Sequence, residues 1–198
     1  MKSIILSVQP QWLAKILNGE KTIEIRKSAP KELPCEVYFY CTMGKPELHR
    51  YDSWNGESWE RHYLFRKPIV GEWLQNGLVV AKFTLNKVDE VGLTLHIKNI
   101  NDYFVGDKTR FIINKVEEYI YDEIEGTCLT VDELHAYGKG DTLYAWHIDN
   151  LVIFDKPMEL KDFIVRKEVL NNEKARIGWL QGTLTRAPQS FCYCEPIK

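Results

Sequence analysis

The charged side chains of Lys21, Glu24 and Arg26 lie close together in the chain, immediately after a short segment with helical periodicity. The stretch Gly19–Arg26 reads GEKTIEIR and carries Lys21, Glu24 and Arg26. Lysine and arginine donate hydrogen bonds and glutamate accepts them, so this set can bind a polar ligand. The period of two in a strand places Glu24 and Arg26 on one face and Ile25 on the other. The stretch predicts the opening of a ligand-binding pocket, and the alternative is a half-buried strand with a solvated outer face.

A short amphipathic helix precedes this strand and must position it. Residues 11–18 place their apolar side chains on one helical face, at the i, i+1, i+4, i+5 spacing of Trp12, Leu13, Ile16 and Leu17. Pro10 suits the first turn of a helix, where its missing N–H would have no partner. Gly19 suits the end of the helix, because glycine adopts a left-handed conformation at low steric cost.

The segment from Ser3 to Arg26 resembles the opening of ASCH domains, whose signature is a strand, a short helix and a G-x-K-x-x-E-x-R-like segment. The four signature positions are all present, as Gly19, Lys21, Glu24 and Arg26. Residues 143–148 with 154–157, and residues 186–194, are similar to later strands of longer, phage-type members. The resemblance implies a PUA-like, mainly antiparallel β-barrel with flanking helices, in the α+β class. It also implies binding of RNA or a modified nucleotide in a cleft beside the barrel.

The resemblance further implies an enzymatic alternative. Some small ASCH proteins are amidohydrolases that deacylate N4-acetylcytidine with a lysine and a threonine in the first motif and a glutamate on a later strand. Lys21 matches the lysine, whereas Glu24 occupies the threonine position and Lys82 aligns with the later glutamate. We therefore prefer a binding module, with Lys21 as the catalytic residue only if the protein is an enzyme. The opposite charges of Glu24 and Lys82 predict that these two side chains form an ion pair in the site.

An insertion at about residues 43–70 combines aromatic and basic side chains. Exposed Trp54 and Trp59 beside arginines would offer faces on which bases stack and donors for phosphates. The alternative is that these rings cover one end of the barrel, because large aromatic side chains are usually at least partly buried. A protein-interaction or regulatory domain is a third possibility, since a cleft does not reveal the size of its partner.

A later strand carries two more candidate aromatic residues. Tyr144 and Trp146 share one face, and His147 lies on the other. The pair is expected either in the core or in the wall of the pocket that Lys21 and Arg26 line. The surroundings of the remaining glycines and serines show neither a phosphate loop nor a hydrolase triad, so we expect no cofactor.

The composition predicts one domain over residues 1–198 with a real hydrophobic core, since 44% of the residues are hydrophobic. A net charge of −2 disfavours long duplexes, which bind mainly through phosphate contacts from Lys and Arg, and favours a single-stranded or single-nucleotide partner. The five scattered cysteines, together with the absence of a signal-peptide pattern or a long apolar run, predict a cytoplasmic protein with free thiols. Zinc bound through Cys192 and Cys194 is a weak alternative, because their spacing fits no usual finger.

The pattern along the chain predicts strands over 2–8, 36–41, 78–91 and 141–154. It also predicts helices over about 114–125 and over 130–138. The second of these has Thr130 as its cap and Glu133 three residues later. Residues 166–181 lack firm periodicity and are expected to form a loop or an exposed helix.

Overall fold

The computed structural model describes residues 1–67, 69–91, 93–99, 115–121, 125–139, 141–165, 179–180 and 182–197. Two α-helices lie within these ranges, α1 (Pro10–Leu17) and α2 (Val131–Gly138), along with a short 3-10 helix at Leu160–Asp162. The strands are β1 (Lys2–Val8), β2 (Ile23–Arg26), β3 (Cys35–Cys41), β4 (Leu48–Trp54), β5 (Trp59–Phe65), β6 (Trp73–Leu74), β7 (Val79–Leu85), β8 (Val88–Val91), β9 (Leu93–Asn99), β10 (Lys115–Tyr121), β11 (Leu143–His147), β12 (Asp149–Met158), β13 (Phe163–Val165), β14 (Trp179–Leu180), β15 (Thr183–Leu184) and β16 (Phe191–Pro196).

The largest sheet has eight strands in the order β12-β7-β3-β1-β16-β13-β15-β14. Its central strands β1 and β3 run parallel, with Ile4 opposite Val37, and the other pairings in this sheet are antiparallel. Both central strands are almost continuously buried, which explains their apolar runs without alternation. Phe39 of β3 and Phe83 of β7 stack with their ring centroids 4.8 Å apart in the main core.

A three-stranded sheet in the order β2-β11-β8 carries the first charged motif. Its antiparallel register places Glu24 opposite Trp146 and Arg26 opposite Tyr144. Helix α1 packs its apolar face into the main core through Leu13, Ile16 and Leu17. The predicted helix and strand at the start of the chain are therefore confirmed to within one residue at each end.

The predicted insertion supplies β4 and β5 of a second three-stranded sheet, in the order β5-β4-β6, and β6 follows directly after it. The hairpin of β4 and β5 pairs Leu48 with Phe65 at its base and Trp54 with Trp59 at its tip. Leu48 and Tyr63 at the base are buried in the main core, whereas the tip is exposed. One end of this sheet is thus attached to the core and the other projects from it.

The fold is α+β and mostly strand, as expected, but the sheets formed by the described residues are open. The implied barrel closure is therefore not seen among them. Neither described α-helix is long and apolar enough to cross a membrane.

One predicted helix is wrong. Residues 115–121 form β10, which pairs antiparallel with β9 in a separate two-stranded sheet, with Glu118 opposite His96. The segment is rich in valine, isoleucine and tyrosine, which favour strands, and pairing with a partner strand overrides its near-helical spacing. The expectation for residues 166–181 falls almost entirely outside the described residues, apart from β14.

Helix α2 is confirmed with its predicted cap. The Thr130 side chain accepts a hydrogen bond from the backbone N–H of Glu133, and the Glu133 carboxylate accepts one from the backbone N–H of Thr130. This reciprocal pair satisfies two donors at the start of the helix. It also fixes Glu133 at the entrance of the cavity described below.

Candidate functional site

The chain bends sharply between α1 and β2, and this bend determines where Lys21 points. Gly19 adopts a left-handed conformation with φ of 79°, and the N–H groups of Glu20 and Lys21 both donate to the carbonyl of Lys15. The start of β2 is then held by Gly126, whose carbonyl accepts from the N–H groups of Thr22 and Ile23 at 2.9 and 3.0 Å. Lys21 is thereby directed inward instead of into solvent.

The conformation of Gly126 is itself tightly constrained. Its φ is 83°, a region that side chains disfavour, and a Cβ atom at this position would collide with the Thr22 hydroxyl. The left-handed φ and the contact with the Thr22 hydroxyl both favour glycine between the loop before α2 and the start of β2. This position is therefore a structural determinant of the site, although its side chain takes no part in chemistry.

Lys21, Glu24 and Arg26 form a buried ion cluster. Their relative exposures are 2%, 6% and 8%, so all three are more than nine-tenths buried. Arg26 Nη2 donates to Glu24 Oε1 at 2.9 Å, and Lys21 Nζ lies 3.5 Å from Glu24 Oε2. The cations also donate to backbone carbonyls, Lys21 to Thr127 at 2.5 Å and Arg26 to Ser7 at 2.7 Å. The carboxylate thus lies between two cations that the backbone holds in place.

The cluster lines a cavity of about 490 Å³. The described residues that line it come from several elements and are Ser7, Gln9, Trp12, Lys21, Glu24, Ile25, Arg26, Thr42, Leu129, Glu133, Tyr137, Pro188 and Gln189. The predicted convergence of Lys21, Glu24 and Arg26 on one cavity is therefore confirmed. Their role in binding a ligand stays a prediction.

Two features make this cavity suitable for a flat polar ligand. The Trp12 ring forms part of the wall, and Lys21 Nζ lies 5.7 Å from the centroid of that ring. Buried Arg26 Nε has no hydrogen-bond partner among the described residues. A buried donor without a partner is costly, so a ligand acceptor that reaches Arg26 would gain binding energy there.

Burial lowers the pKa of Lys21 from its ordinary value, because the charged amine loses its water. The nearby carboxylate of Glu24 opposes this effect. A lysine with a lowered pKa in a cavity is a candidate for proton transfer or nucleophilic chemistry as well as for binding.

The structure does not bring Lys82 to this cluster. Lys82 lies on β7 in the main sheet and its Nζ pairs with Glu36 Oε1 of β3 at 2.5 Å. The predicted Glu24–Lys82 pair is therefore wrong, because Lys82 pairs with Glu36 while Glu24 pairs with Lys21 and Arg26. Lys82 is also not among the described residues that line the cavity.

Trp54 and Trp59 also lie away from the cavity. They are 56% and 71% exposed and contact each other edge to face, with 5.8 Å between ring centroids, at the tip of the β4–β5 hairpin. The alternative in which these rings cover one end of the fold is therefore wrong. Neither ring is among the described residues that line the cavity, so their predicted stacking role concerns a separate surface.

Trp146 belongs to the core, as one of the two interpretations held. It is fully buried, contacts Phe191 edge to face at 5.2 Å, and donates from Nε1 to the carbonyl of Ser28. Tyr144 is partly buried against the same core and does not line the cavity either. His147 lies 2.7 Å from Asp89 on the outer side. No group of three possible metal ligands occurs among the described residues, including the segment with Cys192 and Cys194.

Several cavity residues were missed from the sequence. Trp12 carries a helical apolar pattern that predicts only core packing, yet its ring is half-buried and lines the cavity. Glu133 and Tyr137 line the cavity from α2, which lies more than a hundred residues after the charged motif in the chain. Pro188 and Gln189 precede the closing strand β16 and had no chemical signature of their own. Of these residues only Trp12 lies near the charged motif in the sequence, on the helix that precedes it.

No protein-family model and no curated protein matches this chain. It is similar to solved structures of an ASCH protein from Zymomonas mobilis, with 15% identity, a TM-score of 0.48, and coverage of 97% of this chain and 87% of that one. A tyrosine-to-phenylalanine variant of that protein gives 14% identity, a TM-score of 0.48, and coverage of 98% and 90%. This similarity is too low to assign the chain to a family, so the functional conclusions below depend on the cavity alone.

Proposed function

We propose that this protein is an RNA- or nucleotide-binding module that takes one base, ordinary or modified, from a single strand into the cavity lined by Lys21, Glu24 and Arg26. The observation that carries the proposal is the convergence of this buried ion cluster on a cavity with an aromatic wall. Its volume of about 490 Å³ falls in the range of about 300–1,000 Å³ that is typical of small-ligand sites.

The arrangement of donors and acceptors matches the edge of a nucleobase. Glu24 can accept from an exocyclic amine, while Arg26 and Lys21 can donate to a neighbouring carbonyl or ring nitrogen. Trp12 offers a ring on which the base can stack. Cytosine, adenine and guanine each carry an exocyclic amine, whereas uracil does not, so the cluster favours the first three.

The overall charge supports a small or single-stranded partner. The chain carries −2 at neutral pH, so the broad positive field that long duplexes require is absent from its composition. A buried site for one base needs few phosphate contacts, because most of its affinity comes from stacking and hydrogen bonds within the cavity.

The test is calorimetric titration of the wild-type protein with CMP, AMP, GMP and UMP at fixed salt. We expect saturable binding of at least one of the first three, at least about tenfold tighter than UMP, which corresponds to about 1.4 kcal/mol. Glu24→Gln removes the charge and one of the two acceptor oxygens, so it should reduce this preference at a temperature where the variant is folded. Glu36→Gln removes a carboxylate from the Lys82 pair, away from the cavity, and should leave binding unchanged. If none of the four nucleotides binds, or if Glu24→Gln binds as wild type does, the proposal is wrong.

An amidohydrolase acting on an N4-acylated cytidine is a second candidate, favoured by the lowered pKa of Lys21. A less basic amine in a cavity can act as a nucleophile or proton carrier, provided that the carboxylate does not hold it charged. Incubation with N4-acetylcytidine, with cytidine release followed by chromatography, tests it. Turnover that Lys21→Met abolishes would establish the enzyme, whereas nucleotide binding without turnover would establish the binding module.

A further inference from the structure

A second cavity adjoins the first and shares Trp12 with it. It measures about 390 Å³ and lies between α1 and the edge strand β5. Trp12 and Glu133 line both cavities. A chain that leaves the first cavity past the Trp12 ring therefore enters the second directly.

We propose that the second cavity is a subsite for the neighbouring nucleotide, so that the ligand is a single-stranded oligonucleotide of at least two residues and not a free nucleoside. This inference rests on the proposed function, because it assumes that a base occupies the first cavity. It adds the class of ligand and names residues that nothing in the first motif predicted.

The lining of the second cavity offers aromatic rings for a base and one cation for a phosphate, beside the carboxylates of Glu20 and Glu133. Trp12 and Phe65 are both partly buried and present aromatic rings from α1 and from the end of β5. Base stacking on such rings tolerates every base, since every base has a π-face. Lys15 also lines the cavity and is 41% exposed, so its amine can reach a phosphate at the surface.

The walls are held in place without a ligand. The Asn18 side chain donates to the Tyr63 carbonyl at 2.8 Å and accepts from the Tyr63 N–H at 3.2 Å, which ties the end of α1 to the middle of β5. These two hydrogen bonds satisfy backbone groups on the edge strand that would otherwise face solvent. The subsite is therefore preorganised, and binding there does not require the insertion to move.

The charge of Lys15 is only weakly engaged within the protein. Its Nζ lies 3.7 Å from Glu20 Oε2, the two side chains are 41% and 57% exposed, and pairs in contact with water contribute little. A phosphate between two bases could therefore replace Glu20 as the partner of Lys15. Because no other lysine or arginine is among the described residues that line this cavity, the contribution of Lys15 can be removed by one substitution.

The experiment compares each mononucleotide with its matching dinucleoside monophosphate, CpC against CMP for example, by calorimetry at two salt concentrations. We expect the dinucleotide to bind wild type about tenfold tighter. Phe65→Ala and Lys15→Gln should each lose most of this gain, and Phe65→Ala should keep the mononucleotide affinity. Lys15→Gln is exposed and should fold normally even if Phe65→Ala does not. Lys161→Gln removes a positive charge from another exposed lysine, outside both cavity linings, and should retain the gain.

The possible outcomes separate the two proposals. Equal affinities of mononucleotide and dinucleotide for wild type would overturn the second subsite and leave the base-binding cavity standing. A gain that persists in both Phe65→Ala and Lys15→Gln would also overturn it, because the second nucleotide would then lie elsewhere. If neither ligand class binds, the proposed function fails and this inference fails with it.

Discussion

Replacing Glu24 with glutamine should destabilise this protein far more than the same replacement at Glu36. Glu24 is 6% exposed and interacts with Arg26 at 2.9 Å and Lys21 at 3.5 Å. Removing the carboxylate leaves two buried cations without their counter-charge. Breaking a buried pair in this way typically costs about 3–5 kcal/mol. We expect a loss of that size in the free energy of unfolding.

The Lys82–Glu36 pair provides the matched control. Its atoms are at a comparable distance, 2.5 Å, but its side chains are 33% and 28% exposed. Pairs that remain in contact with water contribute about 0–1 kcal/mol. Glu36→Gln should therefore cost about 1 kcal/mol, and the difference between the two variants should be at least about 2 kcal/mol. Urea denaturation at pH 7, followed by circular dichroism, measures both.

The pH dependence of this difference adds a second check. Burial lowers the pKa of Lys21, and the loss of Glu24 should lower that pKa further. Between the pKa of Lys21 in the variant and its pKa in wild type, folded Glu24→Gln binds fewer protons than folded wild type. The variant's deficit should therefore shrink as pH rises through that window. Equal losses in the two variants at pH 7, or a deficit that grows with pH, would refute the account of the buried cluster.

Three further outcomes follow from the structure. Gly126→Ala should lower the free energy of unfolding by about 2–3 kcal/mol, because it combines left-handed strain with a collision at Thr22. Gly56 has open space around it, so Gly56→Ala should cost about 1 kcal/mol. Thermal denaturation measures both losses. Trp59→Ala should leave the melting temperature nearly unchanged, because the ring is 71% exposed. If the hairpin tip stacks bases, the same variant should bind longer single strands more weakly in a gel-shift titration. Burial raises the pKa of Cys41 to about 12 from 9.0, so this thiol ionises first in the unfolded chain. It should contribute a loss of stability of about 1.4 kcal/mol per pH unit above pH 9, to which the thiols of Cys35 and Cys192, whose pKa burial also raises, add. Cys41→Ala should flatten that slope in denaturation curves between pH 9 and 11, and an unchanged slope would contradict the assignment.

The sequence predicts the elements around the charged motif well because their signals are local. The end of α1 at Gly19, the alternation of β2 and the capping box of α2 all depend on residues within a few positions of one another. The same reasoning fails at residues 115–121, where Val116, Tyr119 and Ile120 at near-helical spacing form a strand because another strand pairs with them.

The cavity itself could be predicted only in part. Lys21, Glu24 and Arg26 are neighbours in sequence, so their convergence followed from one bend and one strand. The cations around Glu24 depend on how two separate sheets are arranged. The predicted approach of Lys82 assumed that β2 and β7 belong to one barrel wall, whereas they belong to different sheets. The walls contributed by α2 and by the segment before β16 depend on long-range packing that no local pattern encodes.

The most direct test of the account is a crystal structure of the protein soaked with the mononucleotide that binds best in the calorimetric series. The account predicts a base in the cavity beside the Trp12 ring, with its exocyclic amine within hydrogen-bond distance of Glu24 and an acceptor within reach of Arg26. The account would be contradicted if, at saturating concentration, the nucleotide bound to another surface and left this cavity without a base.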